Sequence, residues 1–151
     1  MRAAACLAIL GLLTLGSDGA GGAAARLSTR SPDGKRVAEV RARAAGGDTI
    51  FVDGRRVWPA DLDARHPQVI GRLSWARAGH AVAWLAHEPT GATTLVVALV
   101  GGAAAGQALE WNVPSAALPA RAIMWMGASR LAVGPREMEP RLVASWGGGA
   151  D

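Results

Sequence analysis

The sequence predicts an all-β fold built from short antiparallel meanders. Three observations carry this. Short runs that alternate in polarity, or are rich in β-branched and aromatic residues, recur along the chain between Gly, Pro and Asp turns. A polar turn leading into an alternating strand appears three times, at Ser31–Val40, Trp75–Leu85 and Trp125–Val133. Beyond the N-terminal segment, no apolar stripe of period 3.6 persists for three turns, so helices are not expected there.

The N-terminal segment has its own logic. Met1-Arg2 is a minimal positive region, and Ala3 to Leu15 is apolar or small apart from Thr14. As a helix this stretch would span about 20 Å at 1.5 Å per residue. A bilayer core needs roughly 20 residues, so the stretch fits the apolar part of a secretion signal better than a membrane span. Small residues dominate Gly16 to Ala25, and cleavage is expected after Ala20 or Ala25. The later cut is preferred because Asp18 sits badly before the earlier one. Residues 1–25 are thus expected to be a signal peptide and 26–146 a single β-repeat domain, with repeats near 26–70, 71–120 and 121–146. A disordered tail is expected at 147–151. Cys6 is the only cysteine and interrupts the apolar run, whereas a lipid-attachment cysteine should follow it. The processed chain would hold no thiol, which excludes disulfides, a thiolate nucleophile and a Cys-ligated metal.

The strands follow in order. Val37, Glu39 and Arg41 alternate with Ala38, Val40 and Ala42. Thr49–Val52 meets Arg55–Trp58 across Asp53-Gly54. An Asp-Gly pair between two such runs signals a type I′ hairpin, because both central residues need positive φ. Further strands are expected at Val69–Trp75, Ala81–Leu85, Thr93–Val100, Ala108–Val113, Arg121–Trp125, Arg130–Val133 and Arg141–Trp146. The prolines from Pro59 onward lie between these runs or at their edges, where a missing N–H does least harm.

Arg30, Trp75 and Trp125 hold equivalent places, 45 and then 50 residues apart. Each precedes a turn and then Val37-Ala38, Val82-Ala83 or Leu131-Ala132. A period near 45 with several short strands suits a propeller blade. Ser31-Pro32-Asp33-Gly34-Lys35 resembles the hallmark of the TolB-like β-propeller repeat, a relative of the WD repeat. The second copy keeps Trp75 and Gly79 without the Ser-Pro-Asp, and the third keeps Trp125 in a turn one residue shorter. The resemblance spans roughly residues 27 to 146. Closed propellers typically have four to eight blades, and this chain holds two full repeats and a partial third. The expected fold is therefore a set of antiparallel blade-like meanders, as an incomplete β-propeller or a compact β-sandwich. A propeller closed by two or more chains is a further arrangement. Exposed blade edges template pairing with another chain, so self-association into a homo-oligomer is expected of such a fold.

The net charge of +4 comes from arginine, with Lys35 the only lysine. Scattered arginines read first as a solvated outer face, and second as a surface for anionic polymers or headgroups. Nucleic acid is not an expected partner, since export removes it and no basic strand face carries stacking aromatics. Trp75 and Trp125 recur at the repeat's structural position and are expected to pack. Trp58, Trp84 and Trp111 are the surface candidates, Trp84 being expected on the face away from Val82.

The chemical candidates are few. Asp61, Asp63 and His66 lie close in sequence and could in principle hold a hard cation. Their Pro-bounded stretch reads more simply as a solvated loop between repeats. His80 and His87 flank a strand without facing one another, and Glu137 and Glu139 lie in a Pro-flanked loop. No Gly-x-Ser-x-Gly elbow exists, and no tyrosine. Gly101-Gly102 and Gly147-Gly148-Gly149 lack the Lys-Ser/Thr of a phosphate loop. Asn112 is followed by Pro114, so there is no glycosylation acceptor. No catalytic, cofactor-binding or metal residue is singled out, and no cofactor is expected. The expected function is an exported, non-enzymatic binding or scaffolding module, periplasmic or secreted. Its expected partner is a protein or an envelope polymer, and its only contact with the membrane is the transient signal. A small periplasmic hydrolase with a loop site, or a degenerate propeller fragment without its own function, are the alternatives.

Overall fold

The computed structural model describes residues 24–120, 122–135 and 142–147. The expected leader up to residue 23, the Glu137 and Glu139 pair and the residues after 147 lie outside that range. The described strands are β1 (Ala25–Arg30), β2 (Val37–Ala42), β3 (Asp48–Val52), β4 (Arg55–Trp58), β5 (Gln68–Trp75), β6 (Ala81–His87), β7 (Thr93–Leu99), β8 (Ala108–Asn112), β9 (Ala122–Trp125), β10 (Arg130–Gly134) and β11 (Leu142–Ser145). A single 3₁₀ turn at Ser115–Ala117 is the only helical element among the described residues, and no described helix is long and apolar enough to cross a membrane. The all-β fold is as expected. The strand β1 and the 3₁₀ turn were not anticipated from the sequence.

The strands form three antiparallel meanders taken in chain order. Sheet 1 is β1-β2-β3-β4, sheet 2 is β5-β6-β7-β8, and sheet 3 is β9-β10-β11. Sheets 1 and 2 share one register at their first turn and between their second and third strands. Arg30 pairs Val37 as Trp75 pairs Val82, and Ala38 pairs Val52 as Ala83 pairs Val97, each 45 positions on. Trp125 pairs Leu131 in sheet 3. The turns repeat too. Gly34 N–H donates to the Ser31 carbonyl at 2.8 Å, and Gly79 N–H to the Ala76 carbonyl at 2.9 Å. Both glycines have φ near +70°, a region that costs glycine nothing. In sheet 3 the turn closes one residue earlier, with Met126 N–H donating to the Arg130 carbonyl.

The sheets stack face to face, with sheet 2 in the middle. Val82, Trp84, Ala86, Val96 and Ala98 pack against Ala38, Val40, Ile50, Val52 and Trp58 of sheet 1. The opposite face of sheet 2, with Ala83, Leu85, Leu95 and Val97, packs against Leu131, Val133 and Ala144 of sheet 3. A sheet covered on both sides has no polar face, which is why β6 and β7 read as continuous apolar runs. Sheet 1 instead turns Glu39, Arg41 and Phe51 outward, with the Arg41 guanidinium 4.3 Å from the Phe51 ring centre.

Two tryptophan expectations fail. Trp84 is fully buried and lies on the same face as Val82, because residues two apart along a strand point the same way. Trp58 is only 1% exposed. In a regular strand it would share the outward face of Arg56. The β3–β4 register shifts between Ile50 and Phe51, so Phe51 opposes Arg56 while Ile50 opposes Trp58. The extra residue, Val57, turns Trp58 inward. There its ring meets Trp84 edge-on, with centres 5.6 Å apart.

Candidate functional site

The connector from β4 to β5 contains Asp61, Asp63 and His66. They do not form a metal-holding group, and no such group occurs among the described residues. Asp61 instead holds its own turn, its carboxylate accepting from Asp63 N–H at 2.9 Å and Ala64 N–H at 3.0 Å. The Ala64 N–H, then that of Asp63, keeps the Asp61 carboxyl below the usual range. The His66 ring nitrogen Nδ1 lies 3.2 Å from the Gly46 carbonyl, on the neighbouring hairpin.

The residue that organises this connector is Arg65, which the sequence did not single out. Its guanidinium donates to Glu110 of β8 at 2.8 and 3.0 Å and to Glu88 after β6, and lies 5.4 Å from the centre of the Trp58 ring. Trp58 Nε1–H donates to the same Glu110 at 2.7 Å. Glu110 first, and Glu88 after it, raise the Arg65 pKa further, with burial opposing. Nearby, buried Asp48 accepts from Val69 N–H at 2.8 Å and from Arg26 at 2.6 Å. These contacts fasten sheet 1 to sheet 2. They satisfy buried polar groups of both sheets.

The other aromatic candidates also pack. Trp111 is half-buried, its ring centre 5.9 Å from that of Trp146, which in turn lies 5.9 Å from Trp125. Trp125 Nε1–H donates to Ser74 Oγ at 3.1 Å. Trp75 packs against the core between sheets 1 and 2, in line with its expected role.

Besides a cleft of about 420 Å³ by the β2–β3 turn, lined by Arg26, Arg43, Asp48 and Gln68, two concave regions stand out. One lies between sheets 2 and 3. In β5, Gly71, Arg72 and Leu73 oppose the single residue Trp84, and Gly71 has φ of +73°. This bulge opens a cleft of about 600 Å³ over Leu85 and Ile123, with Arg72 and Ser74 on its wall. The other region lies where the turns β1–β2, β3–β4, β5–β6 and β7–β8 come together. A cleft of about 500 Å³ there is lined by Asp33, Lys35, Arg36, Asp53, Gly79 and His80. A smaller one of about 180 Å³ adjoins it, with Arg36 and Asp53 in common and Arg55 and Arg56 on its wall.

The acids in this turn region are already engaged. Asp33 accepts from Ser31 Oγ at 2.5 Å and from Lys35 N–H at 3.1 Å. The Ser31 hydroxyl, then the Lys35 N–H, lower the Asp33 pKa against slight desolvation. Asp53 accepts from Val37 N–H at 2.9 Å and from Arg36 at 3.2 Å. The turns also touch one another. A Cβ on Gly79 would sit 3.3 Å from the Asp33 carboxylate. His80 Nε2 lies 2.6 Å from the Ala128 carbonyl of the β9–β10 turn. This site is not legible from sequence, because Lys35 and Arg55 are twenty positions apart and only the meander brings them to one end.

Comparison with protein-family models, curated proteins and solved structures returns no match.

Proposed function

We propose that the chain is an exported, non-enzymatic β-repeat protein of the cell envelope that acts as a binding or scaffolding module. The observation that carries this reading is the gathering of turns from sheets 1 and 2 around one concave end of the stack, where Lys35, Arg36, Arg55 and Arg56 outnumber Asp33 and Asp53. Loops positioned by a packed scaffold are where binding residues concentrate. Three consecutive meanders, two of them in the same register, support the resemblance to propeller blades. The N-terminal apolar segment supports export, with a periplasmic or secreted destination and a protein or envelope polymer as partner. Crosslinking of the full chain in cells, followed by recovery from the envelope fraction, should return the same partner in independent experiments. Recovery of nothing reproducible would sink the proposal.

A further inference from the structure

We propose that the groove at the turn end of sheets 1 and 2 binds an extended acidic segment of a partner protein. This deepens the binding-module reading and rests on it. The first observation is where the charge lies. Residues 25–58 hold eight basic and four acidic side chains, which equals the net +4 of the whole chain, and the rest of the sequence balances to zero. Sheet 1 is therefore the source of the protein's positive field.

The second observation is which cations remain available. Asp48 pairs with Arg26, Glu39 with Arg41 and Asp53 with Arg36, while Asp33 is held by Ser31 and by a backbone N–H. Arg43, at the opposite end, donates to the carbonyls of Leu62 and Arg65. Arg30, Lys35, Arg55 and Arg56 pair with no carboxylate among the described residues. All four lie at the turn end: Arg30 closes β1, Lys35 is in the β1–β2 turn, and Arg55 and Arg56 begin β4. Four adjacent strands at about 4.8 Å spacing put them within about 14 Å across the sheet.

The third observation is the shape of the walls. The sheet 1 side of the two adjoining clefts carries Lys35, Arg36, Arg55 and Arg56, with Asp33 and Asp53 among them and already engaged. The sheet 2 side is built from Ala78, Gly79, His80 and Gly101 in one and Val100, Ala105 and Gly106 in the other. A wall with a surplus of cations facing a wall of mostly small residues admits a main chain close to the backbone and aims its acidic side chains one way. In an extended peptide, alternate side chains share one side at about 6.7 Å spacing, a step that successive cations across the strands can meet. Arginine forks grip carboxylates in pairs of bonds. No tryptophan lines either cleft, so a sugar ring finds no stacking platform. That favours an acidic peptide over an acidic glycan.

The test is fluorescence anisotropy of a dye-labelled ten-residue glutamate peptide against the full chain, titrated at low and at physiological salt. Binding should weaken as salt rises. The triple variant Lys35→Glu, Arg55→Glu and Arg56→Glu should lose about tenfold or more in affinity. Arg72→Glu, in the β5 bulge, should change it less than about twofold. Should the triple variant not melt cooperatively, Arg55→Gln alone should still weaken binding measurably. Equal losses from Arg72→Glu and Arg55→Glu would overturn the proposal, since charge alone would then explain the binding. So would tighter binding of polygalacturonate, or of vesicles containing phosphatidylglycerol, than of the peptide at matched charge. An envelope partner captured equally by the triple variant would end this inference and leave the binding-module reading intact.

Discussion

Sheets 1 and 2 share the pairing of their second and third strands and of the first turn, and differ in what surrounds them. Forty-five positions separate equivalent residues, yet Glu39 stands where sheet 2 has Trp84, Arg41 where it has Ala86, and Phe51 where it has Val96. The inward face keeps its character: Ala38 and Val40 match Ala83 and Leu85, all buried. Register therefore does not depend on the outward side chains. It follows from the turns, where Gly34 matches Gly79 and Gly46 matches Gly91 in position and in positive φ. The outward residues report only whether another sheet lies over them. The same strand plan serves as the middle of a stack or as its end, according to a handful of side chains.

The largest expected effect tests that contrast directly. Trp84→Ala should cost about 3–5 kcal/mol in urea denaturation, since it empties a site enclosed by two sheets. The equivalent Glu39→Ala removes only a half-exposed ion pair with Arg41 and should cost less than about 1 kcal/mol. Similar losses at the two positions would break the comparison. Next is Gly47, whose counterpart in sheet 2 is Ala92. A Cβ on Gly47 would lie 2.7 Å from the His66 backbone carbon, at a φ of +79°. Gly47→Ala should lower stability by about 1–3 kcal/mol, read by the same denaturation. An unchanged midpoint would mean that the connector does not lie against this hairpin.

The smallest effect concerns Ser31, whose counterpart is Ala76. Both positions form the same backbone turn, so Ser31→Ala should leave the fold intact. It removes the main cause of the lowered Asp33 pKa. In the native protein, a depressed carboxyl stabilises the fold above its unfolded pKa of about 3.9 and loses that contribution as pH falls through the folded value. Carboxyl NMR titration should show Asp33 moving up toward the ordinary range in the variant. An unmoved titration would show that the hydroxyl does not set it.

Much of the strand plan was legible in the sequence because the turns announce themselves. The Asp53-Gly54 hairpin and the spacing from Arg30 to Trp75 are local signals, and the pairings follow them. β1 escaped notice because Ala25–Arg30 is mostly exposed, with Leu27 and Thr29 its only partly buried positions. The tryptophans were harder for two reasons. The expected separation of Trp84 from Val82 runs against strand alternation itself, and its burial follows from a sheet covered on both faces. The inward turn of Trp58 depends on a bulge whose extra residue, Val57, leaves no mark in composition. The turn-end groove was illegible because it combines residues from two hairpins of sheet 1 with small residues from two turns of sheet 2. The role of Arg65 was hidden likewise, since its partners Glu88 and Glu110 lie far along the chain.

The arrangement around Arg65 ties the edge of sheet 1 to sheet 2 through shared partners. One guanidinium on the connector holds two carboxylates of sheet 2, and one of those carboxylates also receives the indole N–H of a sheet 1 tryptophan. Releasing any member strands the others, so fraying at β4 and at the hairpin after β6 becomes a single event. Amide hydrogens of β4 and of that hairpin are then expected to report one shared opening free energy.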